Sequence, residues 1–109
     1  DLTYLTAEDP RTESLDAILQ DMADAAIEAG GCEGENFWRV PDRGEAIRAA
    51  LRTAQSGDLV IVCGKGHEQS MCFEKTEYPW DDRQAVRAAL AELVGVQGPK
   101  MPWLPTSKE

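Results

Sequence analysis

The chain has 109 residues, 42% of them hydrophobic and 28% charged, which suits one globular domain with a single core and argues against wholesale disorder. Its net charge is −9, from 20 acidic and 11 basic residues, so a phosphate backbone, which needs clustered Lys and Arg, is not an expected partner. Nor is a membrane: no apolar run approaches the roughly 20 residues of a spanning helix, and no basic segment followed by an apolar one marks a secretory signal.

The charge is uneven. Residues 1–31 carry eight acids and a single base, Arg11. Three cysteines, Cys32, Cys63 and Cys72, form no CxxC pair and read as free thiols of a reducing cytoplasm. A zinc site would need more ligands than Cys32, Cys72 and the single His67 supply at these spacings. Cys63 ends an apolar run and is expected in the core.

In chain order, Leu2 to Thr6 is β-branched, aromatic and apolar and reads as a short buried strand. Ala7 to Thr12 breaks it, with Pro10 unable to donate to a ladder. Leu15, Ile18, Leu19, Met22, Ala26 and Ile27 then fall at helical spacing. Thr12 or Ser14 can cap that helix, and Gly30-Gly31 ends it. Phe37 to Val40 reads as a second strand. Asp42 caps a helix with Ala46, Ile47, Ala50, Leu51 and Ala54 on its apolar stripe. The run Leu59-Val60-Ile61-Val62-Cys63 has no alternation and predicts a central parallel strand covered on both faces. Residues 69–80 read as irregular, with a short strand near Met71 to Phe73. Asp81-Asp82 caps a last helix carrying Val86, Ala89, Leu90 and Leu93. Residues 96–109, proline-rich, read as a C-terminal tail after a domain of residues 1–95.

This alternation of strand and helix predicts an α/β fold, a Rossmann-like three-layer parallel-sheet domain with three to four strands and three helices. So few strands suggest an incomplete domain. The chain also opens on Asp1 rather than Met and enters a strand at once, as a piece of something longer would.

Ligands of open parallel sheets bind beyond the carboxyl ends of the strands. Two loops fall there: Glu8-Asp9-Pro10-Arg11, and Gly64-Lys65-Gly66-His67-Glu68. Arg11 offers a planar fork for a carboxylate or phosphate. Glu68 offers an acceptor for an ammonium, and Gly64 and Gly66 permit close backbone approach. Together these suit a zwitterionic head group. The second loop lacks the GxxxxGK[ST] phosphate-loop pattern, and no Ser-His-Asp or Cys-His arrangement gives a catalytic residue.

The stretch Thr6-Ala7-Glu8-Asp9-Pro10-Arg11-Thr12-Glu13, the amphipathic helix after it, Gly57 through Glu68, and Tyr78 to Arg83 resemble the C-terminal domain of the Mur ligases. Within that family the resemblance is to the tripeptide-forming members, which add the third residue of the peptidoglycan stem, and it covers roughly residues 1–95. It implies a Rossmann-like domain that binds the incoming amino acid. It places Arg11 on the distal carboxylate of diaminopimelate, and Gly64 and Glu68 on its distal amino end. Glu8, Asp9 and Pro10 would shape the first loop, and Lys65, Gly66 and His67 would support the second. The diaminopimelate-adding members read Asp-Asn where Glu8-Asp9 stands here. The extra negative charge of Asp9 favours an amine, so lysine and ornithine stay open beside diaminopimelate, which Arg11 favours.

In the family, ATP and Mg2+ drive formation of an acyl phosphate that the amine attacks, in N-terminal and central domains that this sequence does not contain. By that resemblance the fragment alone binds neither cofactor and is not a working ligase. The alternative reading is a stand-alone acidic α/β binding module without ligase activity.

Overall fold

The computed structural model describes residues 1–65 and 67–107; Gly66 lies outside them. Strand β1 (Thr3–Leu5) runs parallel to β2 (Phe37–Arg39), with Tyr4 opposite Trp38. Helix α1 (Leu15–Glu28) makes the crossover. Its start is set by Ser14, whose hydroxyl accepts from the Ala17 amide, and its apolar stripe delivers Leu19 and Ala23 onto Leu5 and Phe37. Tyr4 and Trp38 stack on the other side of the pair, ring centroids 5.1 Å apart, a cross-strand contact of the kind that fixes register.

Helix α2 (Arg43–Thr53) is capped by Asp42, which accepts from the Glu45 amide, and helix α3 (Asp82–Val94) by Asp81, which accepts from the Arg83 amide. Gly95 ends α3 at φ +74°, a left-handed turn that glycine adopts without a Cβ clash. The α2 and α3 helices pack together, and Arg48 of α2 forms a fork with both Glu92 oxygens of α3 at 2.7 and 3.0 Å. Between them in sequence lies an antiparallel hairpin, β3 (Ser70–Phe73) and β4 (Thr76–Pro79). The main core gathers Ile47, Met71, Trp80, Ala85, Ala89 and Leu104.

The α/β fold with three helices and a short parallel sheet is the one expected. Two details differ. The run 59–63 joins no strand ladder. Val60 and Val62 are half-buried, whereas Leu59 is 82% and Ile61 70% exposed, and Cys63 is exposed rather than in the core. The run therefore covers one face only, because no neighbouring strand lies on its far side among the described residues. The second difference is β4: the short strand expected near Met71 to Phe73 is β3, but it has an antiparallel partner in Thr76–Pro79, a segment read as irregular because four residues beside Glu74-Lys75 have too little alternation to register. Glu74 makes the turn at φ +56°. The tail segment beyond Gly95 turns back onto the core: Leu104 is fully buried, and Thr106 and Ser107 donate to Asp42 Oδ1 at 2.7 and 3.3 Å.

Candidate functional site

The two loops named from sequence meet. The first leaves β1 through the buried Ala7 and turns at Asp9 (φ +41°) and Arg11 (φ +56°). Side chains rarely adopt this left-handed region, at a cost of about 1–2 kcal/mol per residue. A dense set of hydrogen bonds holds it there. The Arg11 amide donates to the Cys72 carbonyl at 3.2 Å, and the Arg11 carbonyl accepts from the Glu74 amide at 2.7 Å. The loop thus runs as a third, parallel rung beside β3. Pro10 is buried under it, Arg11 and Glu8 are exposed, and an open cleft lined by Thr12, Glu74, Lys75 and Thr76 lies beside it.

Lys65 joins the loops. Its side chain is only 1% exposed, and its Nζ donates to Asp9 Oδ2 and Glu68 Oε2, both at 2.8 Å. The other Asp9 oxygen accepts from the Cys72 amide at 2.7 Å. Burial alone would raise the Asp9 carboxyl. Its bonds to Lys65 and the Cys72 amide, with the nearby Lys65 and Arg11 charges, outweigh that and hold it below the ordinary carboxylate range. Burial likewise acts to lower the Lys65 ammonium, and its two carboxylate partners outweigh it and raise it. Both groups are charged at neutral pH. Asp9 is therefore neutralised by the protein itself, and the charge expected to face a ligand is taken by Lys65.

Gly64 has φ +104°, a conformation that favours glycine, and a Cβ there would come within 3.1 Å of the Glu8 carboxylate, so the two loops approach closely at this point. Glu68 keeps 54% of its side chain exposed beside this seam, and His67 is exposed. Of the residues singled out from sequence, the structure brings Glu8, Asp9, Gly64, Lys65 and Glu68 together, with Pro10 and Arg11 on the same loop. Gly66 is not among the described residues.

Sequence reasoning missed what lies beneath. Arg43, only 2% exposed, donates through Nε and Nη2 to both Asp82 oxygens at 2.9 Å. Its Nη1 reaches the Ala7 carbonyl at 3.1 Å and its Nη2 the Cys63 carbonyl at 2.7 Å. Asp82 also accepts from the Trp80 indole at 2.7 Å. A signal was available: a cation at the first position of a helix opposes the macrodipole and calls for a strong partner.

The Lys65 ammonium is occupied by two carboxylates rather than turned toward a phosphate. Among the described residues no three His, Cys, Asp or Glu side chains gather as metal ligands do.

An α/β domain with two loops joined by a buried lysine, one bearing an exposed arginine and the other an exposed glutamate, defines a candidate site for a small ligand of mixed charge. The family model described as Mur ligase, glutamate ligase domain matches residues 1–66, and the chain belongs to that family. It is 45% identical over 93 residues to the UDP-N-acetylmuramyl-tripeptide synthetase of Roseiflexus sp. (strain RS-1), covering 85% of this chain and 18% of that protein. It is 41% identical over 93 residues to the UDP-N-acetylmuramoyl-L-alanyl-D-glutamate–2,6-diaminopimelate ligase of Geobacillus thermodenitrificans (strain NG80-2), covering 84% of this chain and 18% of the relative. A solved structure of a UDP-N-acetylmuramoyl-L-alanyl-D-glutamate–2,6-diaminopimelate ligase superposes with a TM-score of 0.71 at 33% identity, covering 84% of this chain and 18% of that one. The chain thus spans about 18% of the length of the relatives it matches.

Proposed function

We propose that this chain is the amino-acid-binding part of an ATP-dependent peptidoglycan-precursor ligase of the cytoplasm. It holds the incoming amino acid for attachment to UDP-N-acetylmuramoyl-L-alanyl-D-glutamate. The relatives' names motivate the reaction. The observation that carries the reading is the Asp9–Lys65–Glu68 bridge, which fixes an exposed arginine loop against an exposed glutamate loop at one edge.

In this reading Arg11 pairs with the distal carboxylate of diaminopimelate, and the Gly64 backbone with Glu68 receives its distal ammonium. Lys65 cancels the charge of Asp9, which removes the repulsion a second carboxylate would meet there and favours diaminopimelate over lysine or ornithine. Residues 1–95 form the binding domain and residues 96–109 a tail, in which Thr106 and Ser107 bond to the cap of α2. The contribution to catalysis is placement of the attacking amine, which turns a bimolecular encounter into a local one. ATP, Mg2+ and the activation of the acceptor carboxylate belong to the other domains of a full-length ligase, so the isolated fragment is inactive.

The test is steady-state kinetics of the full-length ligase with diaminopimelate, lysine and ornithine, for wild type and Arg11→Ala. The expected result is a rise of at least tenfold in the KM for diaminopimelate in the variant, or about 1.4 kcal/mol. The KM for lysine should be little changed. An unchanged diaminopimelate KM removes Arg11 from the site. A wild-type enzyme that prefers lysine replaces the substrate, and a protein with no amino-acid-dependent product formation overturns the reading.

A further inference from the structure

We propose that Arg43 is the positioning residue that sets the two ligand loops relative to each other. This rests on the amino-acid-binding reading above, but concerns a residue that touches no ligand. The backbone carbonyls it grips belong to Ala7 and Cys63, the residues immediately before Glu8 and Gly64. One planar group therefore holds the root of each loop at the point where it leaves the core.

The guanidinium has in-plane donors fixed at three nitrogens, and here four hydrogen bonds use all three. Asp82 fixes the plane from the opposite side, engaging Nε and Nη2 together, and is itself fixed by the Trp80 indole. Both acid and base stand at the first position of their helices, Arg43 in α2 and Asp82 in α3. The knot thus refers both loops to the α2–α3 pair, whose helices pack against each other. The Asp9–Lys65 bridge joins the loops near their tips, and Arg43 joins them at their roots. Two ties at different depths define a separation, whereas either alone would leave a hinge.

The C-terminal segment reinforces this arrangement. Thr106 and Ser107 hold Asp42, the cap of α2 and the neighbour of Arg43, and a Cβ at Gly44 would press on Met101 at 3.1 Å. Lysine cannot replace the arginine: its single nitrogen cannot reach two carbonyls and a carboxylate in one plane.

The experiment is Arg43→Lys and Asp82→Asn in the full-length ligase, with KM and kcat for each substrate and hydrogen–deuterium exchange of residues 6–13 and 62–69. The expected result for Arg43→Lys is a rise of tenfold or more in the amino-acid KM and faster exchange in both loops. The KM values for ATP and for the UDP-linked dipeptide should stay within twofold. Asp82→Asn should move the same quantities in the same direction by a smaller factor. A fall in kcat at constant amino-acid KM would mean a structural clamp only and would overturn the proposal. So would unchanged exchange in the loops. Should Arg43→Lys not fold, Asp82→Asn decides on the same criteria, and failure of both to fold assigns the knot to stability alone. Absence of amino-acid-dependent activity in the wild type is a different result, since it removes the binding reading itself.

Discussion

Replacing Lys65 with Met tests the bridge between the loops most directly. The Lys65 side chain is 1% exposed and makes hydrogen bonds of 2.8 Å to Asp9 and Glu68. Methionine fills most of the same apolar volume, so the cavity contribution is small. Glu68 is 54% exposed and can turn to water, so its loss is worth no more than about 1 kcal/mol, the range of exposed pairs. Asp9 is 20% exposed and keeps only its Cys72 amide, so losing a charge-assisted bond there costs about 1.5–3 kcal/mol. The sum, about 1.5–4 kcal/mol, is a large share of the roughly 5–15 kcal/mol that holds a domain folded. In urea, at about 1–3 kcal/mol per M, the midpoint should fall by at least roughly 0.5 M. Fluorescence of the buried Trp80 follows the transition. A midpoint shift below about 0.3 M at unchanged slope would refute the claim that Lys65 carries the junction.

Three further outcomes follow from the same geometry. The Asp9 carboxyl lies below its ordinary value in the folded chain, so its stabilisation is present above about pH 4 and is lost as pH falls through the lower folded value. Asp9→Asn should therefore be less stable than wild type at pH 7 and equal to it near pH 2, and parallel curves at both would contradict the pairing. The Lys65 ammonium is raised, so its contribution is complete below about pH 10.4 and is lost as pH rises through the higher folded value. In Lys65→Met this alkaline limb should flatten in pH-dependent denaturation. Leu104→Ala should destabilise by about 2–5 kcal/mol, as for other fully buried leucines. A calorimetric loss under about 1 kcal/mol would mean the tail packs without contributing to the core.

Much of this protein is written locally. Helix starts are decided within three residues, where Ser14, Asp42 and Asp81 accept from amides of the first turn. Helix faces follow from 3.6-residue spacing, and the parallel pair β1–β2 from apolar runs joined by a helical crossover. The two loops of the candidate site were legible as well, as clusters of proline, glycine and charged residues that each follow an apolar run.

What the sequence could not supply is the partner of each charge. Asp9 and Lys65 stand 56 residues apart, and Arg43 and Asp82 39 apart. Nothing in local spacing says that these pairs meet, or that Asp9 faces the protein's own lysine instead of the ligand. Burial of the run 59–63 is likewise a property of its neighbours, since an apolar strand is covered only where another element lies against it. The sequence determined which segments are helices, which two loops form the candidate site and which residue types stand there. Tertiary structure alone decided how the loops are tied together, because Coulombic attraction and hydrogen bonding act over a few ångströms of space irrespective of distance along the chain.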